Sequence, residues 1–222
     1  MGQQDKQPGL SVATAGLRDR KKAKRRQVIL REAAKLFADQ GIEATTMAAI
    51  ADSAGVSPPT VFNYFGSKDN LLSSLIFEGS EASHARFRNA DYRADRGLTE
   101  ILAAFLRGVS ENTLKIAGKR VWRYSEAAQI RRPNTEFEER FALLDNRLIN
   151  ELARVLASNH LVLRNGRKPD HRFLAKLFFD RWTAHYLKFI KDDAMTLDSH
   201  CVDLQADIAV MVDLMFVEPA DR

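Results

Sequence analysis

Cysteine, proline and glycine are scarce in this chain of 222 residues, which contains one cysteine, six prolines and eleven glycines. The single cysteine, Cys201, cannot form an internal disulfide, so a disulfide-stapled scaffold is excluded and a reducing compartment is indicated. No apolar run approaches the roughly 18 residues of a membrane-spanning helix. Residues 1–20 also lack the apolar stretch of a secretory signal. We therefore expect a soluble protein of the cytoplasm with no membrane partner.

The composition is otherwise that of an ordinary globular protein, with 45% hydrophobic and 28% charged residues. The formal net charge is +5, and it is unevenly distributed. Residues 1–36 hold ten Lys/Arg and three Asp/Glu, a net charge of +7, so the remainder is nearly neutral. Such a basic end indicates an anionic partner, either nucleic acid or a membrane surface. A solvated charged face is the alternative, and composition alone favours it.

Apolar residues recur at helical spacing along most of the chain, and no segment alternates as a strand does, so we predict an all-α fold. Residues 1–17 are polar and aperiodic, and we predict a disordered tail there. An N-terminal domain is predicted over 18–66 and a helical C-terminal domain over 67–222. The long helices are predicted at 67–89, 98–117, 119–130, 134–158, 170–194 and 197–217.

The clearest local signals are caps and turns in the N-terminal domain. Thr46 is placed to cap a short helix over 47–54, and Gly55 can supply a left-handed turn after it. Ser57 is predicted to cap a second short helix that starts at Pro58, where no N–H is needed. Gly66 would end this second helix. A short helix, a glycine turn and another short helix form a helix-turn-helix, in which the second helix enters the major groove of DNA.

Side chains able to bind DNA are concentrated on this second helix. Short hydroxyl and amide groups can reach phosphates or base edges, and the helix carries no charge, so base reading would use polar and methyl contacts. The N-terminus of the first helix, at Thr46, can present N–H groups and a hydroxyl to a phosphate. Lys68, just beyond the motif, is a natural phosphate contact. The candidates on the second helix are Ser57, Thr60, Asn63 and Tyr64.

Residues 26–72 resemble the DNA-binding domain of the tetracycline-repressor (TetR) family of transcriptional regulators, above all in the string AGVSPPTVFNYFGSKDNLL of residues 54–72. Two positions depart from that family: Pro59 stands where it often has Gly, and Phe62 where it often has Tyr. The resemblance implies DNA contacts by Thr46, Ser57, Pro58, Thr60, Asn63, Tyr64 and Lys68, and less directly by Pro59 and Phe62. The basic run would add phosphate or minor-groove contacts through Arg20, Lys21, Lys22, Lys24, Arg25 and Arg26, unless it is only a solvated tail.

The same resemblance implies a C-terminal domain that binds a ligand and forms a homodimer. The helices at 170–194 and 197–217 would pack with their twins as a four-helix bundle, and the operator would be an inverted repeat. A cavity between the preceding helices would hold a small hydrophobic or aromatic effector. Candidate pocket residues are His84, Phe87, Phe105, Trp122, Tyr124, Phe137, Phe141, Trp182 and His185, although core packing is the alternative role for each.

An enzyme is not indicated. The five histidines form no tight metal-ligand pair, and neither a phosphate-binding glycine loop nor a nucleophile elbow is present, so we expect no metal and no cofactor. Three hypotheses remain: a ligand-responsive dimeric repressor, a DNA-binding protein of the same fold without an effector, and a helical enzyme or membrane-surface protein. The third is disfavoured because residues 18–26 lack an apolar face.

Overall fold

The computed structural model describes residues 9–89, 97–131 and 136–217, with side chains described from residue 16 to 81 and throughout the two later ranges. The expected all-α fold is confirmed. The described residues contain no strand beyond an isolated bridge between Leu163 and Phe216. Their nine helices are α1 (Gly9–Asp39), α2 (Met47–Ala54), α3 (Pro58–Phe65), α4 (Lys68–Asn89), α5 (Leu98–Ile116), α6 (Lys119–Arg131), α7 (Glu136–Ala157), α8 (His171–Lys191) and α9 (Leu197–Met215).

The chain divides into two compact units, Met1–Ser74 and Leu75–Arg222. The division falls inside α4, later than the boundary expected between residues 66 and 67. The core of the first unit is apolar and wholly buried, as the helical spacing of its residues predicts. Each of its four helices contributes to this core, through Ile29, Ala33 and Phe37 of α1, Ile50 and Ala51 of α2, Val61 of α3, and Leu71 and Leu72 of α4.

The first helix begins earlier than the sequence pattern predicted. Residues 9–17, expected in a disordered tail, form its first turns, while residues 1–8 lie outside the described part of the chain. No proline interrupts the stretch from residue 10 to the basic run, and Ala, Leu, Arg and Lys are all strong helix formers. Once a helix exists, each added residue gains a hydrogen bond, so α1 extends backwards through this stretch.

The second unit is built from the later part of α4 and helices α5–α9. The observed bounds of α5–α9 agree with the predicted spans within a few residues. Asp170 begins α8 by accepting a hydrogen bond from the backbone N–H of Phe173, and Thr196 begins α9 by accepting one from Ser199. The core side chains of this unit include Leu102, Phe105 and Leu106 of α5, Leu152 of α7, Phe178 and Phe189 of α8, and Leu204 and Ile208 of α9.

Two cations at the start of α6 hold the end of α8. The Lys119 ammonium donates to the carbonyls of Asp192 (2.7 Å) and Met195 (2.6 Å). The Arg123 guanidinium donates to the Ile190 carbonyl at 2.6 Å and to the Asp193 carboxylate at 2.8 Å. Positive charge at a helix C-terminus satisfies its free carbonyls and complements the helix dipole. We call this pair of cations and their partners the α6–α8 clamp.

None of the described helices combines the length and the apolar character that crossing a membrane requires.

Candidate functional site

The predicted turn between α2 and α3 is confirmed. Thr46 caps α2 by accepting a hydrogen bond from the Ala49 backbone N–H at 3.0 Å. Gly55 follows the helix with φ 65° and ψ 37°, a left-handed conformation that a glycine adopts without strain. The Val56 N–H then closes the turn on the Ala51 carbonyl at 3.0 Å. These local bonds fix where α3 starts.

The start of α3 differs from the prediction. Ser57 occupies the N-cap position, but its side chain makes no capping hydrogen bond; its hydroxyl lies 2.9 Å from that of Thr60 instead. The reason is chemical, because Pro58 and Pro59 have no N–H to offer to a cap or to a phosphate, and the next donor, the Thr60 N–H, is taken by the Ser57 carbonyl at 2.9 Å. This end of α3 therefore presents hydroxyls and proline rings and no free backbone donor.

The outer face of α3 carries an apolar group beside a polar one. The Phe62 side chain is 50% exposed, which is high for an aromatic residue in a folded unit. Asn63 is exposed, as is Pro59, and Thr60 is half-buried. A phenyl ring and a threonine methyl can contact the methyl group of thymine, and an asparagine amide can pair with an adenine edge. The face thus combines two ways of reading an A·T pair.

Two of the proposed DNA contacts are also used to hold α3 against α1. The half-buried Tyr64 donates its hydroxyl to the Lys22 carbonyl at 3.3 Å. The Arg26 guanidinium lies over the Phe65 ring, 4.5 Å from its centroid. Among the other cations of the basic run, Lys22, Lys24 and Arg25 are exposed on α1. Tyr64 and Arg26 therefore have structural roles besides any contact with DNA.

Lys68 lies where the sequence suggested a phosphate contact, but its ammonium is occupied. It donates to the carbonyls of Ile42 (2.5 Å), Thr45 (2.9 Å) and Glu43 (3.3 Å), all in the turn that leads into α2. An ammonium has three N–H donors, and three carbonyls receive them. In the same turn the buried Thr45 hydroxyl donates to the Gly41 carbonyl at 2.6 Å. The contacts of Lys68 make it a residue that positions Thr46.

The second unit contains a cavity of about 140 Å³ between α4, α5, α6, α7 and α8. Five aromatic side chains line it among polar and charged ones, and their rings contact one another. Trp182 stacks on Tyr186 with 4.9 Å between ring centroids, and Trp122 meets Phe141 and Tyr186 edge-on at 6.5 and 6.1 Å. Side chains three or four residues apart on α8 supply one wall, which consists of Phe179, Trp182, Thr183 and Tyr186.

Four carboxylates line the same cavity, and two of them are paired with cations. Glu81 is bonded to Arg147, and Glu151 to Arg154 at 3.0 Å. The other two, Glu126 of α6 and Asp145 of α7, have no cationic partner among the described residues. Both carboxyl groups have a raised pKa in this position.

Burial, and then the nearby charge of Asp145, raises the pKa of Glu126. Asp145 is an exposed side chain at the lining of the cavity, yet desolvation by the surrounding protein and the charge of Asp180 raise its pKa to about 6. The Tyr186 hydroxyl is buried without a hydrogen-bond partner among the described residues. Burial, with the charges of Glu126 and Asp145, raises its pKa well above the usual value. Negative charge in this cavity is therefore poorly compensated.

The structure brings three of the predicted pocket residues together, since Trp122, Phe141 and Trp182 all line the cavity. Phe105, Tyr124 and His185 do not line it. Phe105 is buried in the core, Tyr124 lies under the Arg131 guanidinium at 5.6 Å, and His185 bonds the Asp207 carboxylate at 2.7 Å. Phe137 is buried against Phe141. The side chains of His84 and Phe87 lie outside the described part of α4.

A buried polar network connects the cavity wall to α9. The Trp182 indole N–H donates to the Ser110 hydroxyl at 2.9 Å, and that hydroxyl lies 2.9 Å from Nε2 of His200. Burial, with His185 nearby, lowers the pKa of His200 to about 4, so the ring is neutral near pH 7 and can share a hydrogen bond. Each polar side chain of this network, from Trp182 through Ser110 to His200, therefore has a hydrogen-bond partner.

The sequence pattern did not predict that the outward face of α9 is apolar. The stripe predicted there is buried at Leu204 and Ile208, and half-buried at Met211, Val212 and Met215. A second stripe at intervals of four residues is exposed instead. Its members are Val202 (66% exposed), Ala206, Val210 (59%) and Leu214 (69%).

No group of three or more His, Cys, Asp or Glu side chains in the part of the chain that the structure describes could hold a metal ion.

Among the comparisons with known proteins, a family model matches the N-terminal region. Residues 29–75 match the model of the bacterial regulatory proteins of the tetR family. The chain is 31% identical over 84 residues to the HTH-type transcriptional repressor KstR2 of Mycolicibacterium smegmatis, covering 38% of this chain and 41% of that protein. It is 42% identical over 67 residues to the regulator TcmR of Streptomyces glaucescens, covering 30% of each chain. The matches thus span less than half of these two relatives.

Solved structures extend the likeness to the fold of both units. A tetR-family regulator of Mesorhizobium loti superposes with a TM-score of 0.68 at 16% identity, over 88% of this chain and 98% of that one. FadR of Thermus thermophilus, a TetR-family repressor solved with lauroyl-CoA, superposes with a TM-score of 0.62 at 20% identity, over 89% and 98%. Residues 29–75 are thus similar to the DNA-binding region of the tetR-family regulators, and the fold of the described residues is similar to that of solved members of that family.

Proposed function

We propose that this protein is a homodimeric, sequence-specific DNA-binding repressor, and that a small effector in the cavity of the second unit releases it from an inverted-repeat operator. The observation that carries this proposal is the capped α2, the left-handed Gly55 and the exposed face of α3. A helix held in this way by the helix before it has the geometry that reads a major groove. The curated relatives are named as transcriptional regulators, in agreement with this role and not with catalysis.

The proposed DNA contacts fall into two kinds, those to base edges and those to phosphates. Asn63 and Phe62 would read base edges, with Ser57, Thr60 and Tyr64 bonding phosphates or bases and the proline rings fitting the groove by shape. At the start of α2, the Thr46 hydroxyl and the backbone N–H groups of the first turn would bind a phosphate. Lys68 would act indirectly, by holding the turn that places Thr46.

The exposed stripe of α9 supports the homodimer. Its valines and leucine recur every four residues and form a contiguous apolar ridge. Exposed apolar patches on a protein surface mark interaction sites. Two copies of α8 and α9 related by a two-fold axis would bury it as a four-helix bundle. A two-fold dimer carries two reading helices, and their symmetry requires an inverted repeat with half-sites about 34–36 Å apart or a multiple of that distance.

The cavity supports an effector. Its lining combines aromatic and aliphatic side chains with polar groups that could orient a ligand, as small-molecule sites do. An effector that binds one conformation of the dimer better than another shifts the population of DNA-competent dimers by its differential affinity. The solved relative FadR of Thermus thermophilus holds lauroyl-CoA, whereas the cavity here is lined by carboxylates, so we do not extend that ligand to this chain.

Selection of bound sequences from a random DNA duplex pool, at near-physiological salt, tests the proposal. We expect enrichment of an inverted repeat. The Asn63→Ala variant should then lose affinity for that repeat by about 1–3 kcal/mol per subunit and little for random DNA. Asn70→Ala removes an exposed amide from α4 and is the matched control. Binding without enrichment, vanishing as salt rises, would contradict the proposal and leave only attraction by the basic run of α1.

A further inference from the structure

The cavity of the second unit combines aromatic faces with uncompensated negative charge. Trp122, Phe141, Trp182 and Tyr186 surround it, and their rings are fixed by stacked and edge-on contacts. The faces of aromatic rings attract cations, most strongly where water is excluded. An aromatic wall alone would suit a neutral hydrocarbon equally well, so the charges decide which ligand class fits.

Those charges are Glu126 and Asp145, on facing helices α6 and α7. They lie close enough for the charge of Asp145 to raise the pKa of Glu126, and no described cation neutralises either carboxylate. Two neighbouring carboxylates cost free energy when both are ionised in a partly dry cavity. The cation present in the lining, Arg147, is bonded to Glu81 and lies over the Phe77 ring at 5.3 Å. A bound positive charge would remove this cost.

A third group points to a ligand independently of the carboxylates. The Tyr186 side chain is only 4% exposed, lines the cavity, and leaves its hydroxyl without a hydrogen-bond partner among the described residues. A buried hydroxyl without a partner has lost its hydration with nothing to replace it, which destabilises the empty cavity. Its oxygen can accept a hydrogen bond from an ammonium N–H. The same atom lies within electrostatic reach of both carboxylates.

We propose that the effector is an organic cation, an ammonium group carried on an apolar body of about one aromatic ring, held by Glu126 and Asp145 inside the aromatic walls. This inference rests on the proposed function, because it names the ligand class of the effector cavity. The size follows from the cavity volume of about 140 Å³, since an engineered apolar cavity of about 150 Å³ holds benzene. The sequence predicted a hydrophobic or aromatic effector, and the proposed ligand class is the positively charged part of that group.

The chain supplies its own reporter for this test. It contains two tryptophans, Trp122 and Trp182, and both line the cavity. Intrinsic tryptophan fluorescence of the full-length protein therefore reports occupancy directly, in the absence of DNA. The probe is benzylammonium, which is positively charged at neutral pH and carries three N–H donors. Its neutral control is ethylbenzene, which has the same shape with carbon in place of nitrogen, and its anionic control is phenylacetate.

We expect the cation to change the fluorescence saturably, with an affinity at least about tenfold above that of its neutral isostere, and the anion to leave it unchanged. Asp145→Asn and Glu126→Gln should each weaken the cation about tenfold and leave the isostere unaffected. Glu139→Gln neutralises an exposed carboxylate on α7 outside the cavity and is the matched control. Both cavity variants remove an unpaired charge and keep the shape, so they should fold.

Equal affinity for the cation and its isostere, or tighter binding of the anion, would overturn the inference whatever happens on DNA. Unchanged cation binding in both cavity variants would also overturn it. Release of the operator is measured separately, by adding the cation to the protein–DNA complex. Saturable binding with no release would support the cation site and contradict the release mechanism, so the two proposals fail in distinguishable ways.

Discussion

Replacing Lys68 by methionine separates a residue that positions the DNA-binding turn from one that binds phosphate. Methionine keeps the length of the side chain and removes the three hydrogen bonds to the carbonyls of Ile42, Glu43 and Thr45. Hydrogen bonds to a charged donor contribute about 1.5–3 kcal/mol each, but water can replace part of this in a half-exposed turn. We expect the free energy of unfolding to fall by about 2 kcal/mol, and the Tm by about 4–8 °C for a chain of this size.

The DNA-binding assay follows affinity against salt concentration. A displaced turn moves Thr46, so the Lys68→Met variant should bind operator and random DNA more weakly. Its plot of log affinity against log salt should keep the wild-type slope, because no phosphate contact is lost. Lys35→Met is the matched control, since Lys35 makes an exposed ion pair with Glu32 worth less than about 1 kcal/mol.

One result would refute this reasoning. If Lys68→Met melts like the wild type and its salt slope falls by about 1.8 for the dimer, each subunit has lost one phosphate contact. Lys68 would then leave its carbonyls on binding DNA, and the turn would be held without it.

Three further predictions test the remaining sites. Phe62→Ala should weaken operator binding in gel-shift titrations by about 1–3 kcal/mol, and the difference from wild type should vanish on an operator with deoxyuridine for thymine if Phe62 contacts the thymine methyl. Ser110→Ala leaves the Trp182 indole and His200 unpaired, so the free energy of urea unfolding should fall by about 1–3 kcal/mol; an unchanged value would show that the network adds nothing. Because Asp145 has its pKa raised from 3.8 to about 6, its favourable contribution is present below about pH 4 and lost as pH rises through 6. Asp145→Asn should therefore melt higher than wild type at pH 8 and lose that advantage at pH 4.

The sequence predicted best what depends on neighbours along the chain. The cap at Thr46, the left-handed Gly55 and the end of α3 at Gly66 each involve atoms within a few residues, so residue type alone indicates them. The missing cap at Ser57 could have been foreseen only in part, since the two prolines after it lack N–H groups but Thr60 does not. The helical start of α1 was missed because a polar composition says little about a helix that extends from an existing one.

Contacts between residues that are far apart in the sequence could not be predicted from it. The pairing of Lys68 with the turn at 42–45 joins residues more than twenty positions apart, and a lysine near a DNA-binding motif has many other uses. The sequence gives only weak evidence that carboxylates line the cavity. Glu126 follows Trp122 by four residues on α6, so an acidic side chain shares a helix face with an aromatic one. That Asp145 of α7 faces it depends on tertiary packing.

The α6–α8 clamp has a consequence for how the cavity can respond to a ligand. Lys119 and Arg123 fix the start of α6, whereas Glu126 and Gln129 meet the cavity further along the helix. We therefore expect a ligand that displaces α6 to move its far end more than its first turn. Because Lys119 also bonds the Met195 carbonyl, just before α9, the start of α9 should stay with the first turn of α6. A larger ligand should then tilt α6 further.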